Sequence, residues 1–149
     1  MATVFSQSIE LATTFDASLT KKVAMAISKE ARTKDNAYGE VGDRGIYKGL
    51  TFWTPNVNIF SDPRWGRGQE TYGEDPFLIS ALGEAFVEVL QGDDWSFMKS
   101  AACAKHFAVH SGPETLVQCN SQPEGYTRDL SACFQGFGPI RGRACHGCV

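Results

Sequence analysis

The 149-residue sequence lacks any long run of apolar residues, which argues against a membrane-spanning helix. Its first residues, MATVF, lack the basic start and apolar stretch of a secretory signal. Lys and Arg form no cluster and the net charge is −3, so there is no electrostatic footprint for nucleic acid or an anionic membrane. We therefore expect neither partner, and a small neutral ligand fits better.

The sequence also lacks a complete set of metal ligands. Of its five cysteines only Cys103 lies before the C-terminal stretch, where Cys145 and Cys148 have metal-like spacing. A zinc site needs two further ligands at suitable spacing, so we expect no metal and no cofactor. The alternative is a thiol or metal protein built on the C-terminal stretch, and finding stoichiometric zinc in the purified protein would support it. No Ser, Cys or His triad can be assembled either.

Helical and strand patterns alternate along the chain. Apolar spacing after a capping Asp predicts an amphipathic helix over residues 16–34, and an Asp-Pro start predicts a second helix over 75–92. Short apolar runs at 50–54 and 100–104 are typical of strands. This alternation predicts an α/β fold with a parallel sheet, either a barrel or a doubly wound sheet.

Two polar stretches, residues 56–74 and 105–114, begin where the predicted strands end. Ligands of parallel α/β folds gather beyond the carboxyl ends of strands. The first stretch is too long for a simple connector and mixes hydrogen-bonding side chains with aromatic rings, as a sugar site requires. Trp53 and Trp65 are candidate stacking faces. The donors and acceptors are Asn56, Asn58, Asp62, Arg64, Arg67, Gln69 and Glu70.

A structural interpretation of the same loop competes with the sugar site. Arg64 and Arg67 can pair with Asp62, Glu70 or Glu74 simply to hold a long loop in shape. For Glu74 and for Asp75, a helix cap, we favour the structural interpretation.

Lys105 and His106, followed by His110, form the second polar group. Adjacent strand residues point to opposite faces, so both could reach one ligand only if the backbone departs from regular pleating. We therefore predict a bulge, kink or unusual peptide there. From spacing alone, a buried histidine with satisfied hydrogen bonds is the more common interpretation.

Two long segments nevertheless resemble the N-terminal barrel domain of glycoside hydrolase family 3, the β-glucosidase and β-xylosidase family. They are GLTFWTPNVNIFSDPRWGRGQETYGEDP at 49–76 and ACAKHFAVHSGPE at 102–114. Residues 2–16 are similar to the stretch before this family's second barrel helix. The resemblance covers about residues 2–114.

This resemblance implies a partial (β/α)8 TIM-like barrel and hydrolysis of terminal β-linked sugars with retention of configuration. Arg67, Lys105 and His106 match residues that bind sugar hydroxyls in the −1 subsite, with Glu70 and His110 in supporting places. Retention needs two carboxyl groups about 5–5.5 Å apart. In the family this nucleophile and acid/base come from later segments, so we expect no catalytic residue within the chain.

After Glu114 the resemblance stops, and residues 115–149 show no helical or strand period. The codons that could encode residues 117–139 can also be read in a frame shifted by one base. That frame allows FN, then VSPRD, then ETYLPAFKALVQ, which is similar to the family's continuation. We therefore expect a partial barrel domain at 1–114 and a frameshifted, poorly ordered tail at 115–149.

Two functions follow for the polypeptide itself. One is a fragment of a retaining exo-acting β-glycosidase whose substrate is a small carbohydrate. The fragment carries part of the −1 subsite and is inactive in isolation. The alternative is a non-catalytic sugar-binding or unfolded remnant with no activity of its own.

Overall fold

A computed structural model describes residues 2–94 and 96–106, and its strands form one βαβ unit. β1 and β2 pair in parallel, with Thr51 opposite Ala101 and Phe52 opposite Ala102, and α3 connects them. The α/β class and the parallel pairing are thereby confirmed for the described residues. The elements are α1 (Ser8–Ala12), α2 (Ala17–Glu40), β1 (Thr51–Phe52), a 3-10 turn (Gly68–Glu70), α3 (Pro76–Gln91) and β2 (Ala101–Ala102).

Both predicted helix starts are confirmed. The Asp16 carboxylate accepts hydrogen bonds from the backbone N–H groups of Ser18 and Leu19, at 2.8 and 3.0 Å. The Asp75 carboxylate accepts one from Leu78 at 2.7 Å, and proline occupies the first position of α3. These caps satisfy N–H groups that have no partner within the helix. The structural interpretation of Asp75 is therefore confirmed.

The predicted end of the first helix, at residue 34, is wrong, because α2 continues to Glu40. The added turns are polar and contain Gly39, which weakens a helical pattern read from sequence. Contacts from the residues after the helix support them instead: Arg44 folds back to Asp35 at 3.4 Å, and Asp43 N donates to Tyr38 O at 2.9 Å.

The regular strands are shorter than predicted, but their hydrogen bonds continue on both sides. Ala101 N donates to Leu50 O and Cys103 N donates to Phe52 O, each at 2.8 Å. Further along, Lys105 N donates to Pro55 O at 3.0 Å. Pro55 lacks an N–H group, so the ladder becomes irregular as it approaches the polar stretches.

Helix α3 carries the core, because its apolar side chains pack on two sides. One cluster joins it to α2 and the strands, and the other joins it to α1 and the residues after β1. The first contains Ala24, Phe86 and Leu90, and the second contains Ala12, Val57, Tyr72, Ile79 and Leu82. Val57 and Tyr72 anchor the start and the return of the long loop, so core packing positions the polar residues between them.

Helices that combine enough length and hydropathy to cross a membrane do not occur among the described residues. His110 and the tail at 115–149 lie outside those residues, so the predictions made for them remain predictions.

Replacing Asp75 by alanine should lower the free energy of unfolding by about 1 kcal/mol, because the bond to Leu78 N is lost. Urea denaturation followed by circular dichroism at a helical wavelength measures this. The matched variant Asp75→Asn keeps a capping oxygen and should remain close to the wild type. Equal losses in both variants would contradict the capping assignment.

Candidate functional site

Three chain segments meet at Asn56, just beyond the carboxyl ends of β1 and β2. Asn56 forms parallel bridges with Thr71, where the long loop returns, and with Lys105, where the second strand ends. Val57 N donates to Lys105 O at 2.8 Å and fixes the register between the segment of Asn56 and that of Lys105. Residues far apart in sequence thus share one edge of the fold, as expected at the carboxyl ends of parallel strands.

The carboxylate of Glu70 lies at the centre of this edge. Arg67 donates from Nε to Oε1 and from Nη2 to Oε2, both at 2.7 Å, in a fork-like pair. Lys105 Nζ lies 3.6 Å from Oε2, and Asn56 Nδ2 donates to the same oxygen at 3.4 Å. We call these four residues the Glu70 cluster: Glu70, Arg67, Lys105 and Asn56.

The two cations keep Glu70 ionised. The hydrogen bonds from Arg67, aided by the charges of Arg67 and Lys105, lower the pKa of Glu70 from 4.5 to about 2 despite its partial burial. The side chains of Arg67, Lys105 and Glu70 are each 25–35% exposed, so solvent still reaches the cluster. Arg67 and Lys105 can only donate hydrogen bonds, and the single carboxylate of Glu70 balances part of their charge. The cluster therefore favours ligands that accept hydrogen bonds.

His106 is oriented by a buried asparagine. The backbone N–H of His106 donates to Asn58 Oδ1 at 2.9 Å, and the ring Nδ1 lies 2.8 Å from the same oxygen. Asn58 is 1% exposed, and its own N–H bonds the Oδ1 of Asn56 at 3.1 Å. The two asparagines therefore connect His106 to the Glu70 cluster.

The predicted irregularity at the Lys-His pair is confirmed, because the peptide bond between Lys105 and His106 is cis. Lys105 contacts Glu70 and His106 contacts Asn58, so both side chains lie at the same end of the sheet.

The rest of the long loop is held by local contacts, as the structural interpretation predicts. Arg64 pairs with Asp62, with Nη2 and Oδ2 2.6 Å apart, and its hydrogen bonds lower the pKa of Asp62 to about 2. The proposal of Trp65 as a stacking face is wrong, because its ring is 3% exposed and packs edge-on against Phe60. Trp53 is 75% exposed, and its stacking role stays a prediction.

The structure brings together most of the residues predicted from sequence. Arg67, Lys105 and Glu70 form one cluster, and His106 adjoins it through Asn58. Sequence reasoning assigned no specific role to Asn56 or Asn58, which stand among many polar residues of the loop. The available signal was their spacing of two directly after Pro55, where a continuing strand places both on one face.

A cluster of three or more His, Cys, Asp or Glu side chains suited to a metal ion is absent from the part of the chain that the structure describes.

Comparison with known protein families assigns the chain to one of them. The model of the "Glycosyl hydrolase family 3 N terminal domain" matches residues 1–128. The chain belongs to glycosyl hydrolase family 3. The match extends past Glu114, and the predicted domain boundary at that residue stays a prediction.

Family 3 relatives of this chain include named xylosidases. A xylan 1,4-beta-xylosidase of Xylanibacter ruminicola is 50% identical over 115 residues, covering 75% of this chain and 13% of that protein. Beta-D-xylosidase 3 of Arabidopsis thaliana is 49% identical over 112 residues, covering 73% and 14%. The chain thus spans about one seventh of the length of these family 3 proteins.

Solved family 3 structures share the fold of the chain. An exo-beta-xylosidase, XlnD, in complex with a xylobiose aziridine probe matches with a TM-score of 0.64 and 35% identity, covering 74% of this chain and 13% of that one. A beta-glucosidase of Listeria innocua in complex with laminaribiose matches with a TM-score of 0.62 and 28% identity, covering 91% and 18%.

The turn that carries Glu70 has no room for a side chain at Gly68. A Cβ atom there would overlap the ring of Phe60, whereas one on Gly66 would meet nothing within 4 Å. Gly68→Ala should therefore lower the free energy of unfolding by about 1–3 kcal/mol, as overpacking does.

The matched variant Gly66→Ala should be nearly neutral, and urea denaturation of both variants makes the comparison. Equal stability of the two would show that the packing of Phe60 against Gly68 does not hold the turn.

Proposed function

We propose that this chain carries part of the −1 sugar subsite of a retaining, exo-acting β-glycosidase that cleaves β-xylosides or β-glucosides. In this proposal Arg67, Lys105 and His106 bind sugar hydroxyls. Glu70 and His110 support them, although His110 lies outside the described residues.

The observation that carries the proposal is the Glu70 cluster itself. A fork-shaped guanidinium and an ammonium group share one carboxylate, with Arg67 bonded at 2.7 Å and Lys105 at 3.6 Å. Neighbouring hydroxyls of a sugar offer oxygen acceptors at a spacing that such paired donors fit. Glu70 limits the excess positive charge, so a neutral polyhydroxyl ligand fits better than a strongly anionic one.

Sequence similarity supports xylosides somewhat more than glucosides. Among the solved structures, the named exo-beta-xylosidase is 35% identical to this chain and the beta-glucosidase of Listeria innocua is 28% identical. The solved relatives hold a xylobiose aziridine probe and laminaribiose, respectively. We therefore propose xylose as the first sugar to test and glucose as the second.

Hydrolysis requires a general acid other than the carboxyl group of the cluster. A general acid must hold its proton near the working pH, and Glu70, with a pKa of about 2, does not. Asp62 is paired with Arg64 and is equally acidic. We accordingly propose that the chain by itself binds sugar without turnover. In this proposal it derives from a glycosidase but acts, in isolation, as a non-catalytic sugar-binding fragment.

The proposed scaffold is a partial (β/α)8 barrel. The β1–α3–β2 unit with its parallel strand pair supports it, because such units are the repeat of that fold. A domain boundary near Glu114 and a frameshifted tail at 115–149 complete the proposal.

Arg67→Ala should weaken binding of xylose by about 10–100-fold, because a charged hydrogen-bond donor contributes about 1.5–3 kcal/mol. The measurement is an NMR titration of the 149-residue chain with xylose, followed by glucose. Aryl β-xyloside hydrolysis, assayed in parallel, should be absent.

The matched control is Arg64→Ala, which removes an arginine of the same loop whose side chain is 80% exposed. It should leave the xylose affinity nearly unchanged. Equal affinities for Arg67→Ala and the wild type would remove Arg67 from the proposed site.

A further inference from the structure

The oxygen of a buried asparagine lies within hydrogen-bonding distance of two nitrogen atoms of one histidine. Asn58 Oδ1 lies 2.9 Å from the backbone N of His106 and 2.8 Å from its Nδ1. Asn58 is 1% exposed, so water does not compete for the amide.

The backbone N–H of His106 identifies the amide oxygen. A backbone N–H can only donate, so the atom facing it must be the oxygen of Asn58 and not its NH2 group. In the part of the chain that the structure describes, Asn58 Nδ2 has no hydrogen-bond partner. Turning the amide over would therefore set two donors against each other at His106, and it would remove the shared acceptor.

Once the oxygen is identified, the ring follows. An amide oxygen only accepts, so the Nδ1 atom 2.8 Å away must carry the hydrogen. In a neutral imidazole one nitrogen donates and the other accepts, which makes Nε2 the acceptor. Free histidine in water favours the opposite tautomer, with the hydrogen on Nε2.

Asn58 is held in place by its own neighbour. Its backbone N–H donates to Asn56 Oδ1 at 3.1 Å, and Asn56 Nδ2 donates to Glu70 Oε2 at 3.4 Å. This chain of contacts fixes the position of the amide relative to the Glu70 cluster.

We propose that Asn58 is a positioning residue that holds His106 as the Nδ1–H tautomer, so that Nε2 accepts a hydrogen bond while Arg67 and Lys105 donate. The tautomer assignment stands on this geometry, whereas its use, to accept from a sugar hydroxyl, rests on the proposed function. A hydroxyl both donates and accepts, so a site with acceptors and donors on different side chains fixes its orientation.

Long-range proton–nitrogen correlation NMR of the ¹⁵N-labelled chain tests the assignment without any ligand. The chain has three histidines, and the spectrum of His106→Gln identifies the signals of His106 by their loss. At about pH 8, above the ordinary titration range of histidine, we expect a protonated Nδ1 and an unprotonated Nε2. A wild-type His106 with the hydrogen on Nε2 would overturn the proposal.

Two variants test the part played by Asn58. Asn58→Ala should move the hydrogen of His106 toward Nε2, whereas Asn58→Asp keeps an acceptor and should restore the Nδ1–H form. Backbone amide spectra check that each variant is folded. If Asn58→Ala is unfolded, the wild-type spectrum and Asn58→Asp still decide, and a neutral ring with its hydrogen on Nε2 alone in either would contradict the proposal.

Xylose titration separates this inference from the proposed function. In a sugar-binding chain, Asn58→Ala should weaken xylose binding by about tenfold and Asn58→Asp should regain part of the loss. A chain that shows the expected tautomer but binds neither xylose nor glucose would refute the proposed function and leave the role of Asn58 intact. Unchanged affinity in a folded Asn58→Ala variant would refute the link between the tautomer and binding.

Discussion

The arrangement of the site depends on one ion-paired carboxylate. Glu70 comes from a short turn in a long loop, yet it contacts Arg67 in the same turn and Lys105 at the end of the second strand. Without this carboxylate two cations would face each other beside a buried asparagine, and like charges at short range repel. The carboxylate can hold them only while it is ionised, and the hydrogen bonds from Arg67 keep it ionised by lowering the pKa of Glu70.

Packing and backbone hydrogen bonds hold the turn that carries Glu70 in place. Val57 and Tyr72 are buried at the two ends of the loop, and Asn56 bridges Thr71 and Lys105 between them. Polar side chains therefore rest on a rigid edge of the fold, whereas Arg64 and Asp62 stabilise the loop further out. Rigid support of this kind is what a binding site needs to keep its donors in position.

Sequence patterns predicted the elements better than their limits or contacts. The capping carboxylates of Asp16 and Asp75 identified both long helices, because a cap and an apolar face are local signals. The extension of α2 to Glu40 was missed because a contact from beyond the helix, between Arg44 and Asp35, supports it in place of an apolar periodicity. The burial of Trp65 was missed for a related reason: whether a ring in a loop faces solvent depends on tertiary packing, here against Phe60. The resemblance pointed to Arg67 and the Lys-His pair, but the role of Asn58 required coordinates, since it depends on which atom of a buried amide faces a particular N–H group.

The site keeps this arrangement only if Glu70 remains ionised between its two cationic neighbours, and NMR titration of its side-chain carboxyl carbon measures this directly. A midpoint near pH 2, which moves upward toward 4.5 in Arg67→Ala, is the predicted result, because Arg67 is the main cause of the shift. A wild-type midpoint at the ordinary value of 4.5 would contradict it, since Glu70 would then not be held by Arg67 and Lys105.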